Sequence, residues 1–204
     1  MSGDKSKQNK ATVSIKKLVR DESIEILKKE GITVDYINIG NKERLPHLIN
    51  KLQEEVQELY KSKGKKDIKE EMVDVFSVFL ALTSNMNINI SELQIFKDTQ
   101  FIFKGPKTDN LLNYAKQINQ ENTREENILL LSKFFSLYII FTQTVLNIGL
   151  DSILTSTRNK NKLRGAFKKG IYINTITGDR NNHVIDKYIK SGYDHQIEEE
   201  KLEQ

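Results

Sequence analysis

The sequence predicts a mainly all-α protein: an antiparallel four-helix bundle with short extended segments near residues 32–39 and 171–177. Three observations point there. Apolar residues recur at helical spacing over 45–61, a second and more uniformly apolar helical pattern follows a short basic link, and a long apolar run fills 125–147. The 204 residues suit one domain, or one domain with a large insertion. A composition of 37% hydrophobic and 29% charged residues excludes wholesale disorder. We expect a disordered tail over 1–14, a single helical domain over 15–193 and an acidic, frayed tail over 194–204.

Taken in order, 16–31 reads as a short extended entry followed by a helix, with Asp21 or Ser23 as N-cap and Gly31 as the stop. Alternation over 32–39 before Gly40 predicts a strand or extended loop. The first strong helix places Leu45, Leu48, Ile49, Leu52, Val56 and Leu59 on one face, with Pro46 in its first turn. The basic link 61–67 contains Gly64 and is short enough to join antiparallel neighbours. The second helix has Asp67 as its expected cap with Glu70 at the capping-box position, and is apolar around most of its circumference after Met72.

Further on, 91–103 predicts a short helix closed by Gly105 and Pro106, and 107–127 is polar with a weak helical pattern at Leu111, Leu112, Ala115 and Ile118. The apolar run over 128–150 approaches the length of a membrane span. Lys133, Ser136, Gln143 and Asn147 fall along one stripe of it, which favours a buried bundle helix and no membrane partner. Residues 151–169 read as a helix ending in a basic cluster, and 171–177 has the β-branched content of a strand. At a constant offset of 60, Asn50, Leu52, Ile68, Asn87 and Ile88 recur as Asn110, Leu112, Ile128, Asn147 and Ile148. Under that echo Glu55, Glu58, Glu71 and Asp74 fall opposite Ala115, Ile118, Leu131 and Phe134, so a second helical pair without the acids would complete the bundle.

The absence of cysteine excludes disulfides, thiolate metal sites and a cysteine nucleophile, and three scattered histidines make zinc a poor fit. The polar N-terminal residues lack the apolar core of an export signal, so a cytoplasmic location is expected. A net charge of +4 is compatible with an anionic ligand but too small by itself to argue for nucleic acid.

The chemistry is concentrated in two acidic pairs. Glu55 falls at the edge of the apolar arc of the first strong helix, with Glu58 one turn further on; Glu71 lies inside the apolar arc of the second, with Asp74 beside it. An ionised carboxylate facing a core needs a proton, a basic partner or a cation. Several converging acids are not all protonated cheaply near neutral pH, so a divalent ion is the natural partner. All-oxygen donors favour Mg²⁺, with Mn²⁺ as the alternative. The competing view is that these acids form solvated faces paired with lysines.

Glu54-Glu55-Val56-Gln57-Glu58, twelve residues, then Glu71-Met72-Val73-Asp74 resembles the EExxE…ExxD signature of the MazG-like all-α nucleoside triphosphate pyrophosphohydrolases. Lys17-Leu18-Val19-Arg20-Asp21 resembles the opening of the branch that begins KLVRDKI, and Arg164-Gly165-Ala166-Phe167 its closing RGGF segment. Glu22-Ser23 and Ala166 depart from that branch. The match covers about 16–93 and 151–176, leaving an insertion at about 94–150 relative to the compact family form. The resemblance implies Mg²⁺-dependent hydrolysis of a (d)NTP between the α and β phosphates, in nucleotide-pool house-cleaning, by a homo-oligomer such as a dimer. It implies Glu55, Glu58, Glu71 and Asp74 as metal ligands, Glu54 as a catalytic acid that orients water, and Lys17 and Arg20 as phosphate-binding residues.

The basic cluster adds Arg158, Lys162, Arg164 and Lys168 as expected phosphate-binding residues, in a stretch that also holds Lys160 and Lys169. No recognition motif or aromatic interleaving accompanies it, so nucleic acid is not the expected partner. A nucleotide-binding or interaction module without turnover is the alternative function.

Overall fold

The computed structural model describes residues 9–96, 107–145 and 147–198. The expectation of an all-α chain is overturned: the described residues contain seven α-helices and a four-stranded antiparallel sheet. The chain divides into two compact units, one formed by residues up to Ile39 and from Lys169 onward, the other by Gly40–Lys168.

The first unit holds the sheet. Strand β1 (Lys10–Leu18) pairs with β3 (Ile171–Asp179) on one side and β4 (His195–Glu198) on the other, and β2 (Thr33–Asn38) adds to β3, giving the order β2-β3-β1-β4. A bulge between Ser14 and Lys17, with Lys16 at φ 47°, shifts the register of β1 on β3. Period-2 alternation buries Ala11, Val13 and Ile15 of β1 with Ile171, Ile173 and Ile176 of β3. Helices α1 (Ser23–Lys29) and α7 (His183–Lys190) contribute Ile24 and Ile185 to the same core. A Cβ on Gly178 would sit 3.3 Å from Ile185 Cγ1, so glycine there permits the close approach of α7 to the sheet.

The first half of strand β1, residues 10–14, reads as tail, and only its end from 16 as an extended entry. Its apolar alternation is only three side chains long and set among lysines, and its pairing partner lies at the other end of the chain, so the local pattern is weak. The same holds for β4, where an acidic tail is expected from 194; residues 199–204 and 1–8 lie outside the described residues.

The second unit is helical. Helices α2 (Asn41–Lys61) and α3 (Lys65–Asn85) form an antiparallel hairpin across Ser62, Lys63 and Gly64. Gly64, at φ 90°, is the N-cap, so α3 begins two residues before Asp67. Helix α4 (Lys107–Gln117) packs on α2; α5 (Arg124–Ile140), extended by a π-helical turn over Phe141–Val145, follows it. Phe76 and Phe79 of α3 stack on Phe134, Phe135 and Tyr138 of α5, with ring centroids 5.2–6.1 Å apart. The buried Tyr138 hydroxyl donates to the Met72 carbonyl at 2.8 Å. Helix α6 (Leu150–Arg164) lies against α3.

Of the segment expected to be helical over 91–103, the described residues 91–96 show a 3-10 turn at Ile90–Glu92 and no α-helix. The amides of Gln94 and Phe96 then donate to the Ser132 and Ser136 hydroxyls of α5, and 97–106 lie outside the described residues. Among the described residues no helix is long and apolar enough to cross a membrane.

Candidate metal centre and adjoining cleft

Two helices of one hairpin bring the acids together. On α2, Lys51, Glu55 and Glu58 follow at i, i+4 and i+7; on α3, Glu71, Asp74, Ser77 or Val78, and Ala81 follow one another at steps of three and four, so each set forms one stripe. Oxygen atoms of Glu55, Glu71 and Asp74 lie within 4.8 Å of one another. Glu55 is buried, Glu71 and Asp74 are half-buried, and Glu58 is exposed and stands outside this close group. Its charge still acts on Glu55 and Glu71.

Two lysines complete the cluster. Lys51 Nζ, nearly enclosed, contacts Glu55 Oε1 at 2.7 Å and Glu54 Oε1 at 3.0 Å. Burial opposes the Lys51 charge, but the two carboxylates outweigh it and hold the ammonium protonated well above the usual lysine range. Lys160 of α6 donates to Asp74 Oδ2. Burial pushes the Glu55 carboxyl up, opposed by Lys51 and reinforced by Asp74 and Glu58; with Lys51 Nζ seated between two carboxylates, the ion-paired form is the one the geometry supports. Burial first, and then Glu55, Glu58 and Asp74, push Glu71 up to about 7.

The donor set fits a hard divalent cation. Five acids (Glu54, Glu55, Glu58, Glu71, Asp74) face two ammonium groups, so negative charge is left over, and Glu71 Oε2 is buried with no hydrogen-bond partner. A buried carboxylate oxygen without a partner is costly, and a cation removes that cost. Oxygens sharing one Mg²⁺ lie at most about 4.2 Å apart, so a small side-chain adjustment would close the set.

Along α3 from Asp74, and along α6 from Lys160, a cleft of about 650 Å³ opens inside the same unit. Leu45, Leu80, Ala81 and Phe167 supply its apolar walls, and Asn41, Asn85, Asn87 and Asn161 its amides. Lys42, Arg44 and Lys168 also line it, and no Asp or Glu does. Arg44 Nη1 donates to the Phe167 carbonyl at 3.3 Å, while Arg44 Nε is buried without a partner. The RGAF segment therefore shapes this cleft through Ala166 and Phe167.

The expected phosphate-binding residues separate. Lys168 lines the cleft. Arg158, Lys162 and Arg164 are exposed, and Arg158 and Lys162 fall on the side of α6 away from its buried Ile153 and Thr157. Lys17 and Arg20 belong to the sheet unit: Lys17 Nζ donates to the Tyr193 hydroxyl at 3.1 Å between the rings of Tyr188 and Tyr193, and Arg20 is largely buried. Asp21 of the same segment accepts from the Lys169 amide at 2.8 Å.

Two cations at the centre and one in the cleft had no individual role assigned from the sequence. Lys51 was legible, since it stands three and four residues before Glu54 and Glu55. Lys160 sits within the basic cluster, but only the packing of α6 on α3 selects it from its neighbours. Arg44 has no local signal.

No protein-family model, curated protein or solved structure matches this chain.

Proposed function

We propose that the protein is a Mg²⁺-dependent nucleoside triphosphate pyrophosphohydrolase that converts (d)NTP and water to the monophosphate and pyrophosphate, a nucleotide-pool house-cleaning activity. One observation above all supports this: Glu55, Glu71 and Asp74 converge on adjacent turns of an α2–α3 hairpin, with a Glu71 oxygen buried and unpartnered. The resemblance of the same residues to the EExxE…ExxD signature supports it independently of the geometry.

Glu55, Glu71 and Asp74 would hold the ion, with Glu58 joining from the exposed end of the α2 stripe; Mn²⁺ suits the same oxygens. When bound, the ion supplies positive charge to phosphate oxygens and acidity to the attacking water. Glu54, fixed by Lys51, orients that water toward phosphorus. Lys51 ion-pairs with Glu54 and Glu55 and holds them in register. Lys160, released from Asp74 as substrate arrives, turns its ammonium to a phosphate oxygen. The cleft beyond Ser77 receives the nucleoside, and Lys168 stands at its rim. A homodimer, in a cytoplasmic nucleotide pool, is the setting the resemblance implies.

The test is pyrophosphate release across natural and damaged (d)NTPs, with and without Mg²⁺. Release from at least one substrate, dependent on Mg²⁺ and abolished in Glu71→Ala with the fold retained, is expected. Silence across the whole panel sinks the hydrolase reading, and calorimetric nucleotide binding without turnover would select a binding module instead.

A further inference from the structure

The acidic centre is flanked by cations on both sides, and the two sides differ in depth. Toward the N-terminus of α3, a pocket of about 270 Å³ is lined by Lys66, Lys69 and Lys160, with Glu70, Val73 and Ser156. Lys66 and Lys69 lie within about two helical turns of Glu71, the reach of a phosphate chain. In the other direction Asn85, at the far wall of the larger cleft, is about 16 Å from Asp74 along α3, the reach of a nucleoside. Ser77, Ala81 and Ser84 present small side chains there, which leaves room for a bicyclic base.

The charged side chains that this cleft offers a base are all of one sign. Lys42, Arg44 and Lys168 donate, no carboxylate accepts, and Arg44 Nε–H is buried with nothing to donate to. The Arg44 guanidinium is held through Nη1 on the Phe167 carbonyl, which leaves its fork of Nε and Nη2 unclaimed by the described residues. Such a fork matches two adjacent acceptors.

Resting on the hydrolase reading for where the phosphates lie, we propose that the cleft selects nucleotides bearing a 6-oxopurine (guanine, hypoxanthine or xanthine) and that Arg44 reads their O6 and N7 edge. These bases place two acceptors side by side, the arrangement an arginine fork pairs with. Adenine sets an amino donor beside N7, and cytosine also presents an amino donor; against Arg44 and the two lysines that group has no charged acceptor. The satisfied Nε–H is the gain for the right base, and the clash of donors is the rejection of the wrong one.

Calorimetry on the full chain with GMP and with AMP reads the base alone, and pyrophosphate release from GTP, ITP, ATP and CTP in Mg²⁺ reads turnover. GMP binding tighter than AMP by on the order of tenfold to a hundredfold is expected, with GTP and ITP preferred by a similar factor in kcat/KM. Arg44→Gln should erase the preference, and Arg44→Lys, which keeps charge but not the fork, should fail to restore it. Ala81→Leu should weaken both monophosphates together by filling the cleft. Equal binding, a preference for AMP, no binding of either monophosphate, or a guanine preference that survives Arg44→Gln in folded protein overturns the proposal. Guanine-selective binding without pyrophosphate release from any triphosphate would instead sink the hydrolase reading and leave this base site standing.

Discussion

The hairpins α2–α3 and α4–α5 belong to one helical unit and, at a constant sequence offset of sixty, carry opposite chemistry. Moved on by about sixty residues, the span of α3 coincides with that of α5 and its π turn. Where the first hairpin has Glu55, Glu58, Glu71 and Asp74, the second has Ala115, Ile118, Leu131 and Phe134, each no more than 1% exposed. The second hairpin is thus filled at these offset positions by apolar side chains alone. The acids of the first cost stability, because Glu55 and Glu71 are both pushed toward protonation by burial. The difference teaches that the first hairpin gives up stability to keep its acids, as the proposed metal site requires, while the second is filled by packing.

If that contrast is right, substitutions in the two hairpins should fail in different ways. The largest effect belongs to Asp74→Asn, which keeps shape and removes charge: kcat/KM for pyrophosphate release should fall about a hundredfold or more, with the denaturation midpoint hardly moved. A comparable loss of stability in that variant would break the contrast.

Phe134→Ala should do the reverse. Its ring stacks on Phe79 with centroids 5.6 Å apart and is fully buried, so its loss should cost about 3–5 kcal/mol in denaturant unfolding, while the protein that remains folded keeps its kcat/KM.

Glu71→Leu gives the first hairpin the residue type that the second has at Leu131. Measured by thermal melting at pH 8 without Mg²⁺, it should be more stable by about 1 kcal/mol or more, and inactive. A lower melting temperature would mean that Glu71 is held by native contacts rather than by a missing cation.

The smallest effect is the pH dependence. Burial and the neighbouring acids push the Glu71 carboxyl from an ordinary 4.5 up to about 7, so the folded state binds more protons between these two pH values. Stability should therefore fall as pH rises through that window. Mg²⁺ must displace the same proton, so its affinity should rise over that window and saturating Mg²⁺ should reverse the fall. A flat profile for Glu71→Gln beside a sloping wild type would assign the effect to this carboxyl.

The site was legible in the sequence to the extent that it is local. Glu71 and Asp74 stand on a helix that is otherwise apolar, and Glu55 at the edge of an apolar arc, so helical period alone aims them at one another across a three-residue link. Glu58 shows the limit, since the same period places it on the stripe but the packing leaves it exposed. Arg158 and Lys162 share a charge and a helix with Lys160, and composition does not separate them; the face of α6 that meets α3 does. Helix α7 was missed although Asn182 caps it and Val184, Ile185, Tyr188 and Ile189 repeat at helical spacing, because eight residues give a short window.

By itself, then, the sequence determined helices α1, α2, α3, α5 and α6, the stripe of acids on the α2–α3 hairpin and the extended segments that become β2 and β3, all of which rest on contacts within a few turns or on local alternation and β-branched content. The tertiary structure alone decided the rest. The sheet closes through β1 on β3, with Thr12 and Thr177 hydroxyls 2.8 Å apart across 165 residues. Lys160 reaches Asp74 across 86 residues, and the cleft has walls from α2, α3 and the segment after α6. Such pairings depend on which distant surface arrives opposite, and periodicity, which reports only neighbours along the chain, contains no information about that.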